Sequence, residues 1–178
     1  MGEIREVKPV LYFASIIYRM ENALKEGLAN LLETLGETEE ITEEMEFSHT
    51  DYYKDEMGEN LKRRLLLFKS LRKREELPNI KIKTNEIEKR LSNRGNRTVN
   101  IDPGYITLEN VILATTKNYT HRIYLGGGIY GDLTLIFKGG TYRPLEWTYP
   151  DYASQQIISI FNKWRTILKD SLRKESKC

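Results

Sequence analysis

Between Val10 and Ile17 the chain reads Val-Leu-Tyr-Phe-Ala-Ser-Ile-Ile, eight residues without a charge and rich in β-branched and aromatic side chains. Such a run is the signature of a buried strand, and its position between polar segments makes it the central strand of a sheet. Whatever the fold, it must be assembled around this segment. Met20, Leu24, Leu28, Leu31, Leu32 and Leu35 follow at helical spacing, with Gly36 placed to stop the helix. Ile41 to Phe47 reads as a second strand, and His49 to Asn60 as a polar, Tyr-rich loop.

Leu61 to Leu71 fits two templates. Leu65-Leu66-Leu67-Phe68 suits a buried strand, while Leu61, Leu65, Phe68 and Leu71 also share one helical face; the strand is preferred. Ile80, Ile87 and Leu91 predict a helix over residues 79–92, with Pro78 in its first turn. Arg97 to Asp102 reads as a short strand ended by a Pro103-Gly104 turn, and Thr107 as the cap of a short helix through Thr116. His121–Leu125 and Leu133–Phe137 are expected to be strands around the turn Gly126-Gly127-Gly128, and Gly139-Gly140 is a second turn. Ile157, Phe161, Trp164, Leu168 and Leu172 then mark a final helix, with Asp151 as its expected cap.

The order predicts one α+β domain over residues 1–178. It would have two layers, a largely antiparallel sheet with helices on one face, in a ferredoxin-like core followed by a C-terminal hairpin and helix. The 178 residues suffice for a hydrophobic core without a metal or disulfide staple. The single cysteine, Cys178, leaves no internal disulfide. With no apolar run of membrane-spanning length and no signal-like start, a cytoplasmic protein without a membrane partner is expected. Nothing in the sequence selects an oligomeric state or a cofactor.

Charge is segregated. Residues 1–60 carry 15 acidic and 5 basic side chains, and residues 61–97 carry 4 acidic and 13 basic. Such asymmetry marks either a phosphate or nucleic-acid surface, or two segments that neutralise each other; neutralisation is the expectation.

The glycine triplet at 126–128 is not a P-loop, since no G-x-x-x-x-G-K-[ST] segment exists and no helix follows it. No nucleophile with an evident base appears, and two histidines, His49 and His121, are too few for a three-His metal centre, so no metal site is assigned. The candidates for ligand contact are polar groups at strand ends. Lys117, His121 and Arg122 form a basic group before a strand, and Tyr124 shares a face with Arg122. Asp102 and Tyr105 flank the Pro-Gly turn. Lys62 and Arg63 supply positive charge, and Asp51 and Tyr52 belong to a Tyr-acid motif. Trp147 and Tyr149 are weaker candidates.

Taken together, several motifs resemble an uncharacterised prokaryotic domain-of-unknown-function family, some of whose members carry the label GTP-binding protein or GTP-binding regulator. They are Thr50-Asp51-Tyr52-Tyr53 with Glu56-Met57-Gly58 and Leu61-Lys62-Arg63, Asn100 to Tyr105, Ala114-Thr115-Thr116-Lys117 continuing to His121–Gly126, and Trp147 to Tyr152. The likeness runs from about Lys8 to the final helix and brings no catalytic residues with it.

Three functions follow as expectations. The first is a small regulatory protein binding an anionic ligand, such as the nucleotide GTP, without a P-loop: Lys62, Arg63, Lys117 and Arg122 would meet phosphate, Tyr52 or Tyr105 would stack on a base or sugar, and Asp51 or Asp102 would accept donors. The second is an RNA-binding module using the basic segment 61–97. The third is a hydrolase or transferase with Asp102 and His121 as acid and base.

Overall fold

The structure is a computed structural model and describes residues 2–48 and 53–175. The expected central strand is β1 (Val10–Tyr18), buried along its whole length. α1 (Glu21–Leu35) follows and ends at Gly36, whose backbone N–H bonds to Leu32 O. The expected strand 41–47 is instead two short strands, β2 (Thr38–Ile41) and β3 (Met45–Phe47), which pair with successive segments of one long neighbour. A short helix, α2 (Lys54–Met57), occupies part of the expected loop.

The long neighbour is β4 (Leu61–Arg72), so the ambiguous segment is a strand. α3 (Leu77–Leu91) has Pro78 in its first turn. Next come β5 (Val99–Ile106), β6 (Asn110–Thr115), β7 (Arg122–Gly126), β8 (Ile129–Lys138), β9 (Thr141–Pro144) and α4 (Gln155–Glu175). β7 and β8 form the expected hairpin, and Gly126, Gly127 and Gly128 all take positive φ in its turn.

Among the described residues, nine strands join one antiparallel sheet in the order β2-β4-β1-β5-β6-β8-β7, with β3 beside β4 and β9 beside β8. Alternation along β1 divides the core. Tyr12, Ala14 and Ile16 face α1 and α3, while Leu11 and Phe13 face α4. Helices therefore cover both faces, in three layers. The two-layer expectation fails because the stripe on α4 packs behind the sheet: Trp164 is fully buried, and Phe161 lies 4.9 Å from the Phe13 ring.

Two local expectations fail around Pro103. The chain does not turn there; β5 runs straight through Pro103-Gly104 to Ile106. The turn comes later, where the Thr107 hydroxyl accepts from the N–H of Glu109 and Asn110 and the chain reverses into β6 rather than a helix. Nor does Asp151 cap α4. Ser154 Oγ accepts the Ile157 N–H, and Asp151 is bound elsewhere. No helix among the described residues is long and apolar enough to cross a membrane.

Candidate active or binding cleft between β5 and β6

β5 and β6 pair only over Gly104–Ile106 and Val111–Leu113. Beyond that, β6 stays with β8 while β5 stays with β1, and the sheet splits. An opened strand leaves backbone groups without a ladder partner, and buried groups of that kind need substitutes. α3 supplies them. Glu88 Oε1 accepts the Ile101 N–H at 2.6 Å, and Lys81 Nζ donates to the Ile101 carbonyl at 3.0 Å. Backbone groups two residues apart point the same way along a strand, so Pro103, which has no N–H, also faces the gap. A proline in a central strand is tolerated because its neighbour has already left.

The split opens into a cavity of about 500 Å³. One wall comes from β5, α3 and β4. Asp102 and Asn100 pair in register with Ser15 and Ile17, so their side chains share the face that carries α4. The Asp102 carboxylate receives Lys81 Nζ at 3.2 Å on one oxygen and the Asn100 amide at 2.7 Å on the other. The Arg97 guanidinium donates twice to Glu56, at 2.8 and 2.6 Å, and lies 3.6 Å from Glu88. On β4, beyond β1, Arg63 donates to Ser15 Oγ and, at 2.5 Å, to Asp151. Both members of the Arg63–Asp151 pair are buried, which binds the segment Tyr149–Tyr152 over the cavity. The rings of Phe47 and Tyr152 lie against the Arg63 guanidinium, and Tyr53 lies against Arg97.

The other wall comes from β6, β7 and β8: Leu113 to Lys117, Arg122 and Asp132, with Tyr149 above them. Arg122 donates to Asp132 at 2.8 Å, to the Lys117 carbonyl at 3.0 Å and to the Tyr149 hydroxyl at 3.3 Å. His121 stands behind this group. Its Nε2 lies 3.1 Å from the same Asp132 oxygen, and its ring stacks on Trp147 at 5.0 Å. Arg122 is thus held from several sides with its guanidinium at the cavity wall.

Five cationic side chains line the cavity, Arg63, Lys81, Arg97, Lys117 and Arg122, against four acidic ones, Glu88, Asp102, Asp132 and Asp151. Burial pushes the Glu88 carboxyl above the ordinary range, and the nearby Asp102 charge adds to that. The Arg97 hydrogen bonds hold Glu56 below it. Among the described residues, no group of three or more His, Cys, Asp or Glu side chains could hold a metal ion.

Of the residues expected from the sequence, Arg63, Asp102, Lys117 and Arg122 meet in this cleft, together with Tyr149. His121 contacts it through Asp132. Three do not join. Lys62 pairs with Tyr18 in register, on the opposite face, and binds Glu44 at 2.8 Å. Tyr105 packs edge-on to Tyr12 beside the α1–α3 core. Tyr124 is exposed near the hairpin tip, next to Tyr130. Asp51, Tyr52 and His49 lie outside the described residues. Sequence reasoning misses Lys81, Glu88, Arg97 and Asp132 as site residues, and meets Asn100 only inside a family motif. A signal for two of them existed: Lys81 and Glu88 each follow directly on a residue of the apolar stripe, Ile80 and Ile87.

A family model described as a domain of unknown function, DUF4416, matches residues 8–167, from just before β1 into α4. The chain belongs to this family. The DUF4416 match thus spans both walls of the cleft. No curated protein and no solved structure matches the chain.

Proposed function

We propose that this DUF4416 protein is a small cytoplasmic binding or regulatory protein whose β5–β6 cleft recognises an anionic ligand, in its finer form a nucleotide such as GTP. The observation that carries the reading is the split itself. The gap is kept open by side chains that take the place of a strand, and it is lined by oriented charges rather than closed with apolar ones. Its volume is within the roughly 300–1,000 Å³ of small-molecule sites. The cations exceed the carboxylates by one, and Phe47, Tyr53 and Tyr152 gather near Arg63 and Arg97, so an anionic group and a flat ring can both find partners. Because Lys81 and Glu88 already occupy the backbone groups of Ile101, an extended peptide would find no ladder there, which favours a small molecule.

The RNA-binding reading draws less support. Three basic side chains of the segment 61–97 pair with the acidic N-terminal third, as Lys62–Glu44, Lys69–Glu37 and Arg97–Glu56, and Arg63, Arg72 and Lys81 are held by other carboxylates. An acid–base pair of Asp102 and His121 also draws little, since the His121 ring is engaged by Asp132 and Trp147 behind the wall.

Titration calorimetry against GTP, GDP, ATP and inorganic phosphate tests the proposal. Wild type is expected to bind at least one nucleotide. Lys117→Ala and Arg122→Ala are each expected to weaken that binding about tenfold, the scale of one charge-assisted contact. No heat from any member of the panel, or unchanged affinity in both variants, contradicts it.

A further inference from the structure

Four carboxylates line the cleft, and one is held unlike the others. Glu88, Asp102 and Asp132 stand on α3, β5 and β8, and each meets at least two groups. Glu88 meets the Ile101 N–H and Arg97, Asp102 meets Lys81 and Asn100, and Asp132 meets Arg122 and His121. Asp151 stands on the segment between β9 and α4, and among the described residues its carboxylate bonds to one group, Arg63. That bond joins one carboxylate oxygen to one guanidinium nitrogen. Arg63 is also held independently of it: Nε donates to Ser15 Oγ at 3.0 Å, and the Phe47 ring lies 5.1 Å from the guanidinium carbon. The segment is fixed on either side of Asp151. Thr148 Oγ1 donates to the Thr134 carbonyl at 2.6 Å, and the Tyr152 ring stacks on Phe161 of α4. Between these two anchors lie Tyr149, Pro150 and Asp151, the first two exposed.

We propose that Arg63 is the seat of a phosphate group of the ligand, and that Asp151 is an intrachain occupant of that seat which the phosphate displaces. The exchange rests on the anion-binding role of the cleft and adds to it the group recognised and the contact that regulates its entry. A phosphate carries about 1.5 to 2 negative charges near pH 7 and offers three acceptor oxygens, so it is a stronger partner for a guanidinium than a singly charged carboxylate. Neither side is left as a stranded charge. Arg63 keeps an anion and its bond to Ser15, and Asp151 follows the exposed Tyr149 and Pro150 toward water. The other lining carboxylates do not fit this part, because each is tied to a second group on a strand or on α3.

Titration calorimetry of the full chain with GTP and with inorganic phosphate tests this. Asp151→Asn keeps an acceptor oxygen for Arg63 but removes the competing charge, and is expected to bind the same probe about tenfold more tightly than wild type, the scale of one charge-assisted contact. Asp102→Asn adds the same charge to the cleft without clearing Arg63 and is expected to gain less. A second readout needs no variant: saturating wild type with GTP is expected to move the Asp151 backbone amide resonance. No gain in Asp151→Asn, an equal gain in Asp102→Asn, or an Asp151 amide that stays in place in saturated wild type overturns the exchange and leaves the anion site itself intact. Absence of binding to both probes, in wild type and Asp151→Asn alike, overturns the exchange and the anion site together.

Discussion

From Gly104 to Ile106, β5 has a strand on each side, β1 and β6. From Val99 to Pro103 it has β1 on one side and the cleft on the other. The paired half is sealed with apolar contacts: Phe13 packs against Phe161 and Trp164, and Gly104 lies so near Phe13 that a Cβ there would come within 2.6 Å of its ring. The open half is completed by charges. Lys81 and Glu88 are both less than one-tenth exposed, and each holds one backbone group of a single residue, Ile101. Burying charge costs several kcal/mol per ion unless it is well paired, and a continued β5–β6 ladder would satisfy the same groups at lower cost. The difference teaches that the strand is opened at the expense of stability. A site for a polar ligand gives a reason for that expense.

The comparison breaks most severely in the paired half. Trp164→Ala is expected to destabilise by about 4 kcal/mol, since the indole is fully buried between Phe13 and Phe161; denaturant unfolding measures it. Gly104→Ala is expected to cost about 3 kcal/mol, because the added methyl meets both the Phe13 ring and the Ile112 backbone. A neutral result there would mean that β5 and β6 are not held close at the branch.

The open half responds more gently and in a pH-dependent way. Glu88→Leu removes the acceptor for the Ile101 N–H and is expected to cost about 2 kcal/mol. Glu88→Gln keeps an acceptor oxygen and is expected to cost less. It also sharpens the pH argument. Burial raises the Glu88 carboxyl, so the folded chain keeps a proton that the unfolded chain has released. Its contribution to stability is then full below the ordinary carboxyl range and declines as pH rises toward the raised value. Glu88→Gln should abolish that decline, so the difference in stability should shift in favour of the variant as pH rises from about 4 to about 8. A parallel pair of stability–pH curves would show that Glu88 is not held in a desolvating position. Glu56 acts in the opposite sense: Arg97 lowers it, and its contribution is lost as pH falls through its folded value.

Sequence patterns revealed the apolar half well and the polar half unevenly. The run Val10–Ile17 and the stripe Ile157–Leu168 declare their elements because periodicity reports burial directly. Pro103-Gly104 misled because its turn chemistry is local, whereas the reason it fits a strand is the departure of β6, which depends on contacts far along the chain. Thr107 misled likewise: a hydroxyl accepting backbone N–H groups serves a hairpin turn as well as a helix cap. Arg63, Asp102, Lys117 and Arg122 were legible as charged groups on strands or at their ends. Their partners were not, because Asp151 meets Arg63 across 88 residues, Lys81 meets Asp102 across 21 and Asp132 meets Arg122 across 10, and a single sequence carries no trace of such pairings.

The central claim is that the gap between β5 and β6 receives the ligand. Backbone amide shifts of isotopically labelled protein, followed during titration with GTP, test it most directly. The account predicts that the largest shifts fall on Ile101 and Asp102 from one wall and on Thr115, Thr116, Lys117 and Arg122 from the other, leaving the hairpin tip at Gly127 unmoved. Saturable binding whose shifts fall on the far edge of the sheet at Thr38–Ile41, or on neither wall, would contradict it.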